Sequence, residues 1–403
     1  MSKNKKDTWY KPRHKFLERL ASPFFAMHCS LKYNFKARKV KLPKEACLIL
    51  ANHDAALDPV FVGLVVKKPI YFVSMDDLLA SKFPGRLLKY WLNPIPKAKG
   101  IADIRCIKLM MKTLKEGQNV CLFPTGSRSY DGELCTLEPS ISKLLKVLKV
   151  PVVFMNIIGN YGGDPRWGNK PRRGYMETKI RCIMSKDEIQ SMSNEELYSK
   201  CIEYLNAGNE VIKPFKSKRS AEYIERVLFR CPDCGSLNTI HSKGNYFECT
   251  SCGLKMEYTP NLTFNKINGN TNINNVREWY LDEASWLKSL DFTNSFELFK
   301  EEGVSLYDVE RLKDKHCLYE KAKVTCYSDH IHIEKDDESF ELNFNEIDSS
   351  AIIGKNKCNF YLGDKTYQFI GNERFNAIKY VMIYFHYRNT IKGELSPNEY
   401  LGI

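Results

Sequence analysis

Three groups of residues in this 403-residue chain have types and spacings that can do chemistry. The first is Asn52-His53-Asp54-Ala55-Ala56-Leu57-Asp58-Pro59. A neutral imidazole accepts a proton at one nitrogen when the other is held as a donor, and a carboxylate holds it best. His53 and Asp58 are five apart, about 140° around a regular helix. They meet only if the chain turns between them, and Ala55 and Ala56 are small enough to allow that. The alternative is a surface histidine beside a helix whose cap is Asp54 or Asp58.

The second group is Phe123-Pro124-Thr125-Gly126-Ser127-Arg128-Ser129, after the apolar run Val120–Phe123. Pro124 ends a strand ladder, and Gly126 permits a positive φ. A tight turn with free N–H groups makes an anion nest, and Arg128 adds a bidentate phosphate donor. Lys97, Lys99 and Arg105 add positive charge upstream. The alternative is an ordinary turn with a solvent-facing arginine. The third group is Cys231-Pro-Asp-Cys234 with Cys249-Thr-Ser-Cys252. Two Cys-x2-Cys knuckles fourteen residues apart have the spacing of a structural four-thiolate zinc site, with no open position for catalysis. His241, between the knuckles, is expected at the surface because four sulfurs already complete such a site.

These groups need elements to position them. From Ala46, short apolar runs (Cys47–Ala51, Ile70–Ser74, Val120–Phe123, Val152–Ile157) alternate with helical stretches (Asp58–Val66, Arg86–Trp91, Asp103–Glu116, Pro139–Lys149). That alternation predicts an α/β domain with a largely parallel sheet over residues 41–216. Ahead of it, residues 1–40 form a basic aromatic segment. Phe16, Leu17, Leu20, Phe24, Phe25 and Met27 suit either a membrane-interface helix or a helix packed on the core, with Pro23 expected to break or kink it. Residues 217–262 are assigned to the ribbon with a preceding helix, and residues 263–310 to a linker and short helices. Residues 311–403 alternate with period two and end in an amphipathic helix, a C-terminal antiparallel β domain closed by a helix.

Charge and cysteine usage narrow the setting. Thirteen Lys and Arg stand against three Asp and Glu up to Glu45, whereas acidic residues outnumber basic ones after Asn261. A basic front suits an anionic phospholipid surface, a phosphorylated substrate or nucleic acid. No 18-residue stretch is free of charge, and no signal peptide is read at the N-terminus. Fourteen cysteines then imply a reducing, cytoplasmic compartment and a metal site rather than disulfides.

Taken together and in order, the first two groups resemble the glycerophospholipid acyltransferases, the family that includes 1-acylglycerol-3-phosphate acyltransferase. His53 and Asp58 match its Asn-His-x4-Asp motif, and Phe123 to Ser129 match its Phe-Pro-Glu-Gly-x-Arg-Ser motif, with Thr125 in place of glutamate. Val150 to Val153 and Arg172-Arg173-Gly174 resemble later segments, and Gly100 to Arg105 loosely echo an intermediate one. The resemblance covers roughly residues 10–215. It implies an enzyme that moves a fatty acyl group from an acyl-coenzyme A or acyl-carrier-protein thioester to a lysophospholipid hydroxyl, peripheral on the membrane. His53 would be the base, held by Asp58. Gly126, Arg128, Thr125, Ser127, Arg105 and Lys99 would bind the acceptor. Structural zinc is expected at Cys231, Cys234, Cys249 and Cys252, and no catalytic metal. The chain is similar to bacterial acyltransferase-like proteins that carry such a ribbon after the catalytic domain. The C-terminal pattern resembles a pleckstrin-homology or GRAM-type barrel. Two other readings stand beside this one: a non-catalytic lipid-binding adaptor, motivated by Thr125, and a nucleic-acid-binding zinc-ribbon protein. The second is disfavoured because no aromatic platform accompanies the ribbon.

Overall fold

The structure, a computed structural model, describes residues 8–75, 89–97, 103–208, 211–309 and 315–391. Lys99, Gly100 and part of the Arg86–Trp91 stretch lie outside the described residues. The chain divides into two units: Met1–Gly163 with Arg173–Lys213, and Asp164–Arg172 with Pro214–Ile403.

Unit 1 is built on its apolar runs. Leu48–Ala51 (β2) and Val152–Ile158 (β6) are buried along their whole length, the pattern of strands covered on both faces. They join Phe35–Lys36 (β1), Ile70–Met75 (β3), Ile95–Lys97 (β4), Asn119–Leu122 (β5) and Met176–Met184 (β7) in a sheet of order β1-β7-β6-β2-β5-β3-β4. Every pairing is parallel except β6 with β7, so the sheet is mixed. On one face, Leu48, Leu50, Val120, Val152 and Phe154 pack against apolar residues of three helices. These are Ile104–Lys115 (α3), Ser140–Leu148 (α4) and Asn194–Leu205 (α7). The helices Asp58–Val65 (α2), Asn160–Gly163 (α5) and Lys186–Ser191 (α6) complete the unit with the N-terminal helix Pro12–Tyr33 (α1).

Pro23 does not break α1, since it sits inside one continuous helix. A proline removes one i→i−4 hydrogen bond but does not forbid the flanking turns, and here they bridge it. His14, Cys29 and Tyr33 are buried, whereas Phe16, Leu20, Phe24, Phe25, Met27 and Leu31 are exposed. No helix among the described residues is long and apolar enough to cross a membrane.

Unit 2 opens with a small antiparallel sheet of order β11-β10-β9-β8: Ile240–Lys243 (β8), Tyr246–Cys249 (β9), Lys255–Tyr258 (β10) and Phe264–Asn268 (β11). The helix Val276–Lys288 (α8) puts Trp279 against Phe247 and Phe264. A second sheet has seven antiparallel strands: Glu297–Val309 (β12), Lys315–Tyr327 (β13), His330–Lys335 (β14), Glu338–Asn343 (β15), Ser349–Ile352 (β16), Lys357–Leu362 (β17) and Lys365–Ile370 (β18). The helix Ile378–Ile391 (α9) follows it and is buried from Ile378 to Tyr387.

Two stretches differ from the sequence reading. Residues 263–310, read as linker and short helices, contain β11 and the 13-residue strand β12. In β12 the register shifts between Glu301 and Val304 and the strand is rich in exposed charge, which hides the alternation. The helix expected ahead of the first knuckle is a single 3₁₀ turn at Ile224–Arg226.

Candidate active site and metal site

The carboxyl ends of three adjacent parallel strands, β6, β2 and β5, meet at the centre of the unit 1 sheet. In open α/β sheets this is where ligands bind. β2 delivers His53, β5 delivers the Phe123–Ser129 turn, and β6 delivers Asn160.

The residues between His53 and Asp58 make the required turn. Asp58 is the first residue of α2 and is fully buried. Its Oδ2 lies 2.8 Å from His53 Nδ1 and accepts from the backbone N–H groups of Asp54 (2.7 Å) and Ala55 (2.9 Å). Its Oδ1 accepts from Asn160 Nδ2 at 3.1 Å. Oδ2 already accepts from two backbone N–H groups, so the hydrogen of the His53 contact sits on Nδ1 and Nε2 keeps its lone pair. The imidazole stacks on Phe123, with centroids 4.4 Å apart, and the His53 carbonyl accepts from Ser129 N. Side chain and backbone of His53 are thus both tied to the second motif.

Within that motif Gly126 has φ 66°, and a Cβ there would meet nothing within 4 Å, so the turn needs glycine for its backbone and leaves open space beside it. Thr125 is buried and its Oγ1 donates to the Ser127 carbonyl. It shapes the turn from within. Arg128 and Ser127 are half-buried on the same loop. Arg105 is the second residue of α3 and exposed, with its Nε 3.6 Å from Asp103.

From the sequence Asn52 is only a motif residue and Asp54 only a possible helix cap, and Asn160 is not picked out. Asn52 pairs with the Ile157 backbone through both its amide atoms and donates to Asp54 Oδ2, locking β2 to β6. Burial, then the neighbouring Asp58 and more weakly Asp131, push the Asp54 carboxyl well above the usual carboxylate range, against donors from Asn52 and Asn160. The only local signal for Asn160 is that it is a polar residue just after the apolar run Val152–Ile157, which does not say which strand it will face.

In unit 2 the ligand atoms of Cys231, Cys234, Cys249 and Cys252 lie within 4.8 Å of one another. Cys231 to Cys252 is 3.7 Å and Cys234 to Cys249 is 3.8 Å. Sulfurs about 2.3 Å from a tetrahedral centre stand about 3.8 Å apart, so the set fits a zinc ion. The spacing is far from the roughly 2 Å of a disulfide. His241 is exposed.

Residues 32–158 match the Acyltransferase family model. That segment contains His53, Asp58 and the whole Phe123–Ser129 turn, and ends just before Asn160. The chain is similar to the chloroplastic 1-acyl-sn-glycerol-3-phosphate acyltransferase BAT2 of Brassica napus, 25% identical over 114 residues, 28% of this chain and 33% of the relative. It is 28% identical over 119 residues to the 1-acyl-sn-glycerol-3-phosphate acyltransferase of Bacillus subtilis, 29% of this chain and 59% of the relative. The solved 1-acyl-sn-glycerophosphate acyltransferase PlsC of Thermotoga maritima aligns over 48% of this chain and 78% of that one, at 20% identity and a TM-score of 0.41. The chain spans about a third of the length of the first curated relatives it matches. The acyltransferase segment thus covers unit 1 only in part, and the cysteine cluster lies outside it.

Proposed function

We propose that this chain moves a fatty acyl group from a thioester to the hydroxyl of a lysophospholipid of the lysophosphatidic acid kind, with His53 as general base. The observation that carries this reading is the 2.8 Å contact between His53 Nδ1 and a buried Asp58, beside a glycine turn bearing Arg128. His53 Nε2 takes the proton from the acceptor hydroxyl as its oxygen attacks the thioester carbonyl. The tetrahedral intermediate collapses, the carbon–sulfur bond breaks, and the imidazolium returns its proton to the departing thiolate. Ester and free thiol are the products, and no covalent enzyme intermediate is needed. Arg128, with the Gly126 to Ser127 backbone and with Lys99 and Arg105, holds the acceptor phosphate, while Thr125 keeps the turn in shape. Coenzyme A and acyl carrier protein are both candidate carriers of the acyl group.

The face of α1 supports action at an anionic membrane surface. At about 100° per residue, Phe16, Met27, Leu20, Leu31 and Phe24 fall within an arc of about 80°, opposite the buried His14 and Cys29. The four cysteines would hold a structural zinc ion in unit 2.

Incubating the full chain with lysophosphatidic acid and a mixed acyl-thioester pool, followed by lipid analysis, tests the reading. Wild type should form phosphatidic acid, and His53→Ala should lose at least about a hundredfold in rate, the usual worth of a general base, while the chain stays folded. No transfer to any lysophospholipid in a panel of head groups would sink it.

A further inference from the structure

Asp58 receives more hydrogen bonds than a base-orienting carboxylate needs from its own motif. Oδ2 alone collects the Asp54 N–H, the Ala55 N–H and the His53 imidazole. Those three hold one oxygen, and all of them come from the histidine motif itself. A carboxylate turns about its Cβ–Cγ bond over a broad, two-fold torsion. A donor to the other oxygen resists that turn from outside the motif, and Asn160 Nδ2 supplies it at 3.1 Å. Asn160 is 2% exposed, opens the short helix α5 and comes from β6, 102 residues beyond the histidine motif. The same amide supports the neighbouring Asp54.

We propose that Asn160 is a positioning residue for the His53–Asp58 pair: it anchors the second oxygen of the Asp58 carboxylate, so that the group cannot turn away from His53 Nδ1 without losing a hydrogen bond at each oxygen. Asn160 acts through Asp58 and touches no reacting atom. It also ties the base to the strand order, because only the parallel pairing of β2 with β6 brings Asn160 to Asp58.

Two measurements on the full chain test this. The first is chemical and needs no turnover. Diethylpyrocarbonate adds once to an imidazole whose Nδ1 is engaged and twice when both nitrogens are free, and peptide mass spectrometry reads the ratio of the two adducts at His53. Asn160→Ala should raise the double-adduct fraction towards that of Asp58→Asn. Asn160→Leu, which is close in size but has no donor for Asp58 Oδ1, should raise it at least as far. The second is kinetic and rests on the acyl-transfer reading. Both Asn160 variants should lower kcat by between about tenfold and a hundredfold, the usual cost of a misplaced catalytic group, with KM for both substrates within about threefold. Combined with Asp58→Asn, Asn160→Ala should cost nothing further, as expected for residues acting through one another.

Adduct ratios at the wild-type value in both variants would overturn the proposal. So would additive losses in the double variant, which would make Asn160 a packing residue. If wild type transfers no acyl group, the functional reading fails on its own, and the adduct ratio still decides the role of Asn160.

Discussion

At the scale of residues, the site brings two buried carboxyl groups, Asp54 and Asp58, within one turn of chain. Asp58 is compensated by backbone N–H groups, the imidazole and an amide. Asp54 is compensated mainly by amides and feels Asp58 itself, so burial and that neighbour favour its protonated form. A carboxyl whose folded-state affinity for the proton is raised contributes stability below its ordinary unfolded range, near pH 4. That contribution is lost as pH rises towards the folded value. Asp54→Asn mimics the neutral acid and can still accept from Asn52. It should therefore melt higher than wild type at pH 7–8, by about 2–4 °C for each kcal/mol recovered, and the gap should close as pH falls towards 4. A gap that widens on acidification would show that Asp54 is ionised in the fold. His53, Asp58 and the turn at Gly126 were legible from sequence because each motif is contiguous and carries its own turn chemistry. Asn160 was not, because it reaches Asp58 through strand adjacency, and no local spacing encodes which strands become neighbours.

At the scale of elements, the strands of unit 1 were readable where they are buried on both faces and therefore read as continuous apolar runs. β12 was not readable, since its exposed charges and bulged register break the alternation that marks a half-buried strand. α1 shows the opposite difficulty. Its proline suggested a break or a kink, and one unbroken helix carries both its buried and its exposed face. The exposed stripe follows from a period that the proline does not interrupt. If that stripe seats in a lipid interface, Phe16→Asp with Phe24→Asp should weaken binding to vesicles of mixed neutral and anionic phospholipid by at least tenfold. Burying one Phe side chain is worth roughly 1.5–3 kcal/mol. Both positions are exposed, at 67% and 66%, so the melting temperature in detergent-free buffer should change little. A large fall in melting temperature would instead mean that the stripe covers core.

At the scale of the whole molecule, the two units are held by different means. Unit 1 has a layered core of sheet and helices around β2 and β6. The small sheet of unit 2 has four short strands that cannot by themselves enclose a core; its first knuckle lies ahead of β8 and its second runs from the end of β9 towards β10. A zinc ion would join residues 231–234 to 249–252 and contribute its binding energy directly to folding, as in small zinc domains. It is not the ribbon's only support. Glu283 of α8 is fully buried and accepts from the Phe229 and Arg230 N–H groups just ahead of the first knuckle, and Trp279 Nε1 donates to the Arg230 carbonyl. Loss of the metal should therefore loosen unit 2 without unfolding the chain. We expect about one zinc per chain by elemental analysis, and substantially less in Cys231→Ser. Stripping the wild type with a strong chelator should lower the melting transition of unit 2 by several degrees or more, speed proteolysis between residues 231 and 252, and leave unit 1 protected. Readdition of zinc should reverse both effects in the wild type and neither in the Cys231→Ser variant. A chain that purifies without zinc and melts identically with and without chelator would remove the metal from this account. The four thiols would then be packing residues held together by α8.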